Sequence, residues 1–504
     1  MTPPLPMRRS PSPRLILAVV SFGVFVAADD LTVVSTMLRQ IIFDLRIPLP
    51  DGLNQAAWIV NAYLIAYVVV MPFMGRVSDL IGRRKVYVGA LGLFLLGSIW
   101  VPLAPNLPLF LVGRVLTALG GGAMVPVGMA IIGDIYAPRR RATALGVLGA
   151  IDTAGWVWGP LYGALLVRYL HWRWQFYLNV PLSLLGMAAA WWALRDLPPT
   201  AARGRLDWRG VALLTAGLVA LNVALLNRSG IQSVSSLTQL AAEPGMRSAP
   251  WWVAAVVALL LFGWVERRRR ESLVDWSLFR LPNFVPAISV NFLVGSVLII
   301  AMVNVPLFVN VVQVDLAQAA LDSGRLLSSM TLAMAVTAYL GGLGTERWGY
   351  RGVASAGISL CILAFFLMGR NWQATTPYSQ MTWQLALLGA GFGFVTAPVG
   401  AAVINAAPED RRGIAASLVI VLRLLGMSVG LAALTSWGLH RFNVLRVQVA
   451  LPPMTDPTFA QALAEGLTNT TVQVLAETFV VSAGIAALAL ITSLWLRHQD
   501  KANA

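Results

Sequence analysis

The sequence predicts an all-α membrane protein that crosses the bilayer many times, and its composition and the arrangement of its apolar residues both indicate this. Of the 504 residues, 58% are hydrophobic and only 12% are charged, and the mean hydropathy is +0.72. A soluble chain normally has about 25% charged residues. The apolar residues form long blocks, and a block of about 18 or more spans a bilayer as a helix because a helix satisfies its own backbone hydrogen bonds.

Fourteen such blocks, separated by charged or Gly/Pro-rich turns, predict fourteen transmembrane helices. They lie at 14–43, 55–74, 86–104, 108–135, 143–170, 174–194, 209–227, 250–266, 283–311, 325–344, 352–369, 381–405, 413–437 and 474–496. The start of the chain is similar to a signal peptide, since Arg8 and Arg9 precede an apolar stretch. That stretch continues past Asp29 and Asp30, so we expect it to remain as the first helix.

The net charge of +15 comes from short basic clusters between the apolar blocks, such as Arg83-Arg84-Lys85 and Arg139-Arg140-Arg141. On a soluble protein this charge would indicate a nucleic-acid partner, but no basic domain large enough to bind a duplex is present. The clusters fall mostly on one side of the predicted helices, the side that carries both termini. The positive-inside bias therefore predicts that both termini are cytoplasmic.

The residues that usually carry chemistry are sparse. Cys361 is the only cysteine, and His171, His440 and His498 are scattered, which argues against a disulfide framework and a metal site. The chain has no GxxxxGK[ST] phosphate-binding loop, so ATP is not expected to drive it directly. We predict no cofactor and no enzymatic activity.

An internal repeat predicts the domain organisation. Residues 75–84 (GRVSDLIGRR) recur at 342–351 (GLGTERWGYR) with an offset of 267, and each copy follows the second helix of a six-helix set. Many secondary transporters consist of repeated helical halves with the transport site between them. We expect a six-helix bundle in residues 1–194, a linker with two extra transmembrane helices in 195–282 and a second six-helix bundle in 283–504.

Several motifs resemble those of the major facilitator superfamily, specifically its fourteen-helix drug:proton antiporter branch. They are the loop Gly75-x3-Asp79-x2-Gly82-Arg83-Arg84-Lys85, Asp30-Leu-Thr32 in helix 1, Leu111-Val-Gly-Arg114 in helix 4, and Gly155-x3-Gly159-Pro160-x2-Gly163 in helix 5. Met37-Leu38-Arg39 and Ala164 depart from the usual pattern. The resemblance implies a major facilitator fold with two six-helix bundles plus two inserted helices.

Within this branch, residues 30–39 and 426–443 are most similar to mycobacterial efflux pumps that partner a lipoprotein and are linked to triacylglyceride export. The resemblance implies a multi-pass protein of the bacterial inner membrane that exports hydrophobic drugs or lipids in exchange for protons. A dedicated exporter or flippase of a triacylglyceride or glycolipid, without drug transport, is the alternative. Membrane lipids are expected partners, and a periplasmic lipoprotein is a candidate partner.

The carboxylates predicted inside the membrane are candidate proton or substrate sites. Asp29 and Asp30 lie about 15 residues, or about 22 Å, into helix 1, and Asp152 lies about nine residues into helix 5. Ionised carboxylates at such depths are costly, and they mark ion pathways or structural ion pairs. Of the two neighbours, Asp30 matches the motif, and Asp29 is expected to line a cavity beside it. The structural alternative is an ion pair or a helix kink for Asp30, and a hydrogen bond to a neighbouring helix for Asp152.

Arg114 and Arg39 are the candidate counter-ions, and Arg423 and Glu477 are weaker candidates. The resemblance implies that Arg114 takes part in proton coupling. Its alternative is to extend towards the outer surface of the membrane.

The loop motif predicts a conformational latch, whose members are Gly75, Asp79, Gly82, Arg83, Arg84 and Asp134. Asp79 can lie at the N-terminus of a neighbouring helix, and by resemblance Arg83 pairs with Asp134. A latch of this kind would stabilise the outward-facing state. The alternative is that these charges only orient the chain in the membrane.

Two further features lie on helix 5 and near the end of the chain. Gly155, Gly159 and Gly163 are four residues apart, so they share one helix face, and Pro160 can kink the span. The resemblance implies that this face regulates opening to the cytoplasm, and ordinary packing is the alternative. Residues 438–473 predict a long outer loop with a short amphipathic helix near 459–467, which either contacts a periplasmic partner or is a plain loop.

Overall fold

The computed structural model describes residues 11–47, 53–197, 206–229, 249–268, 276–313, 316–449, 452, 456 and 458–497. These residues form helices and turns without any strand. The helices are α1 (Pro13–Asp44), α2 (Leu53–Ile81), α3 (Arg83–Leu103), α4 (Leu107–Ile135), α5 (Pro138–Tyr169), α6 (Arg173–Ala193), α7 (Trp208–Ser229), α8 (Ala249–Arg268), α9 (Phe284–Val312), α10 (Leu316–Asn371), α11 (Tyr378–Ala406), α12 (Arg412–Arg446) and α13 (Phe459–Ser493). Short 3₁₀ helices span Trp276–Arg280 and Glu409–Arg411. The predicted all-α membrane fold is confirmed.

Helix α10 is 56 residues long and is bent at Gly349, where φ is 70° and ψ is 174°. A side chain would be strained at this positive φ, so glycine permits the turn. Gly82, its counterpart in the sequence repeat, has a φ of 107° between α2 and α3. Since α10 consists of two arms, the described helices are compatible with fourteen spans. Eleven of the described helices, with α10 counted once, are long and apolar enough to cross a membrane.

The prediction of a long outer loop at residues 438–473 is wrong. Helix α12 continues to Arg446 and α13 begins at Phe459, so only the residues between these two ends connect the helices. In the extended part of α12, Arg441 Nε lies 2.6 Å from Glu477 Oε2 of α13. The helix expected near 459–467 exists as the first turns of α13.

The helices pack as two sets joined by the inserted pair. Helices α1 to α6 pack with one another, as do α9 to α13, while α5 packs against α10 and α2 against α12 between the two sets. The inserted helix α7 packs against α8 and also contacts both α2 and α12. Large apolar side chains on the outside, such as Leu260, Leu332 and Trp158, are exposed. Exposed apolar surface of this extent fits contact with lipid.

Candidate transport site and ion pairs between the bundles

Asp30 and Arg114 form a buried ion pair inside the first bundle. Arg114 Nη1 on α4 donates to Asp30 Oδ2 on α1 at 2.8 Å, and the two side chains are 1% and 0% exposed. Asn179 on α6 donates to the other carboxylate oxygen at 3.3 Å. The guanidinium carbon lies 4.1 Å from the centre of the Tyr63 ring. The structure thus places Arg114 in the core of the bundle and not at the outer surface.

The other candidates on α1 lie differently. Asp29 is also buried, but its carboxylate accepts a hydrogen bond from Gln175 Nε2 on α6 at 2.9 Å and does not contact Arg114. Arg39 lies in α1, and its side chain is outside the described residues. The sequence therefore identified the two acids of this helix, but only the structure shows that Asp30 pairs with Arg114 and Asp29 with Gln175.

Asp152 pairs across the two bundles. Arg423 Nη2 on α12 lies 3.4 Å from Asp152 Oδ2 on α5. Sequence reasoning ranked Arg423 below Arg114 and Arg39 as a counter-ion, because 271 positions separate it from Asp152 and nothing local links the two. This contact joins the two sets of helices.

The Asp152–Arg423 pair lies at one side of a narrow apolar pocket between the bundles. The other lining residues are Thr153, Trp156, Leu298, Met302, Met330, Thr331 and Met334. The space that a water-sized sphere can reach is about 20 Å³, which is room for about one water molecule. The pocket must widen before it can hold any larger molecule.

A network of ion pairs joins α2, α3, α4 and α12 at one end of the bundles, the end that the basic clusters predict to be cytoplasmic. Arg83 lies 2.5 Å from Asp79 and 3.0 Å from Asp134. Arg412, from the other bundle, lies 3.2 Å from Asp134. The backbone N–H of Gly413, in the first turn of α12, donates to Asp79 Oδ1 at 3.1 Å, which places the carboxylate at a helix N-terminus as expected.

Two other members of the predicted latch have separate positions. A side chain at Gly75 would collide with the backbone of Gly413, so this glycine lets α2 and α12 approach closely. Arg84 takes no part in the network, because its guanidinium carbon stacks 3.9 Å from the Trp191 ring on α6.

A second set of contacts closes the same end between α5, α10 and α11, and sequence reasoning missed it. Thr143 Oγ1 donates to Glu346 Oε1 at 2.6 Å. Arg141 Nη1 donates to Asn405 Oδ1 at 2.8 Å, and Asn405 Nδ2 donates to the Tyr350 hydroxyl at 2.7 Å. The sequence repeat contained the signal, since Glu346 and Tyr350 are the counterparts of Asp79 and Arg83 at an offset of 267.

The glycines of α5 face α1, the helix that carries Asp29 and Asp30. A Cβ on Gly155 would lie 2.7 Å from Ala28 Cβ, and one on Gly163 would lie 2.8 Å from a methyl of Val33. A Cβ on Gly159 would lie 2.9 Å from the carbonyl oxygen of Asp29. Pro160 belongs to the same helix, and its side chain is outside the described residues. The spacing of four residues therefore corresponds to a real face of close contact.

The comparison with known proteins agrees with this architecture. The sequence pattern described as Major Facilitator Superfamily matches residues 20–431. The triacylglyceride transporter of Mycolicibacterium hassiacum is 32% identical over 97% of this chain and 92% of its own length. The triacylglyceride transporter Rv1410c of Mycobacterium tuberculosis is 33% identical over 87% of this chain and 86% of its own length.

Solved structures share the fold at low identity. The proton:xylose symporter XylE bound to 6-bromo-6-deoxy-D-glucose has a TM-score of 0.62 at 14% identity, with 95% of this chain and 94% of that chain covered. The human organic anion transporter MFSD10 has a TM-score of 0.60 at 16% identity, with 96% and 100% covered. The chain is thus a multi-pass membrane transporter, not an enzyme, and it belongs to the Major Facilitator Superfamily.

Proposed function

We propose that this protein exports hydrophobic compounds, with neutral lipids such as triacylglycerides as the main substrates, by proton-coupled alternating access. The observation that carries the proposal is the Asp152–Arg423 ion pair in the apolar pocket between the bundles. The names of the mycobacterial relatives support lipids as the substrate class. The ionic residues that line the pocket neutralise each other, which favours a neutral substrate over a cationic drug.

The position of this pair supports proton coupling. A carboxylate that gains a proton loses its charge and releases its cationic partner. Protonation of Asp152 would therefore free Arg423, which lies on the opposite bundle, and let the halves separate around a substrate. Asp30 and Arg114 supply a second pair of this kind inside the first bundle, with Asp29 beside them.

Export of amphipathic drugs is the second candidate, supported by the motifs that the chain shares with drug:proton antiporters. A dedicated lipid exporter would move the lipid and no dye. We further propose that the protein lies in the bacterial inner membrane with both termini in the cytoplasm, because the basic clusters favour that orientation. The paired outer turns of α12 and α13 are the candidate contact for a periplasmic lipoprotein.

The test is transport by the full chain in vesicles of phosphatidylcholine and phosphatidylglycerol. A fluorescent triacylglyceride and the cationic dye ethidium are the probes, each with and without an imposed proton gradient. We expect gradient-dependent movement of the triacylglyceride, and a loss of at least about tenfold in Asp152→Asn because the ion pair can no longer form and break.

Asp456→Asn is the matched control, since Asp456 lies in the connection between α12 and α13 and, among the described residues, its carboxylate accepts hydrogen bonds only from Thr458. It should transport like the unaltered chain. Triacylglyceride movement that ignores the gradient and survives Asp152→Asn would overturn proton coupling. Movement of ethidium alone would overturn lipids as the main substrates.

A further inference from the structure

An open pocket lies between the bend of α10 and the end of α13, about four helical turns along α10 from the central pocket. Its volume is about 690 Å³, which is within the range of about 300–1,000 Å³ that small-molecule sites have. The lining residues are Trp348, Arg351, Gly352, Leu494, Trp495, Leu496 and Arg497. All of them belong to α10 or directly follow α13, so the pocket lies within the second bundle and is no part of the space between the bundles.

The pocket lies at the end of the molecule that carries the ion pairs of Asp134. Tyr350, which precedes Arg351 in α10, accepts a hydrogen bond from Asn405 at 2.7 Å. Asn405 binds Arg141 in the first turn of α5, which follows the end of α4 that carries Asp134. The basic clusters predict this end to be cytoplasmic, and in that orientation the adjoining leaflet is the inner one.

The aromatic residues of the pocket indicate its depth in the membrane. Trp348 and Trp495 are 70% and 67% exposed. Tryptophan is enriched at the surface of a bilayer, where its apolar ring contacts lipid and its N–H binds water or headgroups. Leu488 and Ile491 of α13 are exposed as well, so apolar surface continues from the pocket along this helix. The pocket therefore opens at the level of the lipid headgroups.

The pocket carries positive charge. Arg351 and Arg497 contribute guanidinium groups, and none of the lining residues is acidic. Among the described residues, neither guanidinium has an ion-pair or hydrogen-bond partner. Gly349 bends α10 at its positive φ, so Arg351 and Gly352 lie in the first turn of the second arm, where the helix dipole also favours an anion. Arginine binds phosphate through paired hydrogen bonds, which makes a phosphate the fitting anion.

The walls of the pocket are held by hydrogen bonds that leave the arginine side chains available. Ser355 Oγ on α10 and Ser493 Oγ on α13 lie 2.9 Å apart. Asn283 fixes the backbone of Arg497, because its Oδ1 accepts from the N–H at 2.5 Å and its Nδ2 donates to the carbonyl oxygen at 3.3 Å. The backbone N–H groups of residues 494–496 donate to the last carbonyls of α13. The site is thus formed before any ligand binds.

We propose that this pocket binds the headgroup of an anionic phospholipid, such as phosphatidylglycerol, from the adjoining leaflet. Basic pockets between transmembrane helices are typical sites for such headgroups. Arg351 and Arg497 bind the phosphate, Trp348 and Trp495 contact the glycerol region, and the acyl chains follow the exposed apolar face of α13. A triacylglyceride has no phosphate and is not a ligand here. The bound phospholipid joins the bend of α10 to the end of α13, separately from the proposed transport.

Native mass spectrometry of the full chain in a non-ionic detergent tests the site. The probes are dioleoylphosphatidylglycerol, dioleoylphosphatidylcholine, which has the same acyl chains but no net charge, glycerol 1-phosphate and trioleoylglycerol. We expect phosphatidylglycerol to bind about tenfold or more tightly than phosphatidylcholine, with a smaller preference at higher salt because the pocket is open to solvent. Glycerol 1-phosphate should compete only weakly, and trioleoylglycerol should not compete.

Variants locate the binding. Arg351→Gln/Arg497→Gln should lose the preference for phosphatidylglycerol and keep the thermal stability of the unaltered chain, since both side chains are exposed. Arg351→Lys/Arg497→Lys should retain part of the preference, because the charge remains while the planar group is lost. Arg139→Gln/Arg140→Gln is the matched control, since it removes two exposed arginines at the same end of the molecule but outside the pocket.

Equal affinity for phosphatidylglycerol in Arg351→Gln/Arg497→Gln and in the unaltered chain overturns the proposal. An equal loss in Arg139→Gln/Arg140→Gln also overturns it, because the binding would then follow the net charge and not the pocket. Glycerol 1-phosphate that binds as tightly as phosphatidylglycerol overturns a lipid as the ligand in favour of a soluble phosphate. Triacylglyceride transport plays no part in these readouts, so their outcome is independent of the proposed function.

Discussion

Arg114 is bound on several sides at once, by Asp30 at 2.8 Å, by the face of Tyr63 at 4.1 Å and, more loosely, by the Phe176 ring at 5.8 Å. A planar guanidinium can stack on a ring and bind a carboxylate simultaneously, which a lysine ammonium does less well. This site therefore depends on both charge and shape.

We expect Asp30→Asn to destabilise the folded protein by about 3–5 kcal/mol, because it leaves the buried charge of Arg114 without its partner. The double variant Asp30→Asn/Arg114→Gln should recover part of this loss. Thermal unfolding of the purified protein in detergent measures both, with Asp456→Asn as the control. Equal thermal stability of Asp30→Asn and the unaltered chain would show that the ion pair contributes little to the free energy of unfolding.

The residue scale also shows what the sequence could not predict. Depth along a helix follows from counting residues, so the sequence alone places the acids at 30 and 152 inside the membrane. Which partner a side chain meets around the helix axis depends on the helices that pack beside it. Arg83 and Arg84 are adjacent, yet the first pairs with Asp134 and the second stacks on Trp191, because successive side chains of a helix point about 100° apart.

At the scale of elements, the contact between α1 and α5 depends on the absence of side chains. We expect Gly155→Val to push α1 away from α5, since even a Cβ would lie 2.7 Å from Ala28 and 2.8 Å from a carbonyl oxygen. Overpacking of this kind costs about 1–3 kcal/mol, and it would displace the helix that holds Asp30. Transport should fall strongly while the protein still inserts into the membrane.

Gly92→Val on α3 is the matched control, because nothing lies within 4 Å of a Cβ at that position. Transport and thermal stability of the two variants can be measured side by side. If Gly155→Val behaved like Gly92→Val, α1 and α5 would have to separate easily, and the close contact would have no role in the transport cycle.

Helix boundaries explain where element prediction failed. The predicted apolar blocks end at 437 and begin again at 474, but α12 continues to Arg446 and α13 already begins at Phe459, and Arg441 in the added part of α12 pairs with Glu477 of α13. From the sequence alone, a polar residue that pairs with a neighbouring helix cannot be distinguished from a polar residue in a loop. The repeat, in contrast, was visible in the sequence and has a structural counterpart in the two glycine turns at 82 and 349.

At the scale of the whole molecule, contacts of Asp134 and Asn405 join the two bundles at one end, while the central pocket is too small for a lipid. The proposed transport of a lipid therefore requires a second state in which these contacts part and the pocket widens. Because Asp134 binds arginines from both bundles, its charge contributes to the balance between these states.

We expect Asp134→Asn to shift the population towards the state that is open to the cytoplasm. A loss of about 1.4 kcal/mol in the ion pairs of Asp134 would change the ratio of states about tenfold. The measurement uses Thr331→Cys, which places a thiol on the pocket wall, in a chain whose buried Cys361 has been replaced by serine. A membrane-impermeant maleimide applied from the cytoplasmic side should then label residue 331 several times faster when Asp134→Asn is present. Leu332→Cys, whose side chain faces the outside of the bundle, reports general changes in reactivity and should be unaffected. Unchanged labelling at residue 331 would mean that the ion pairs of Asp134 do not control access to the pocket.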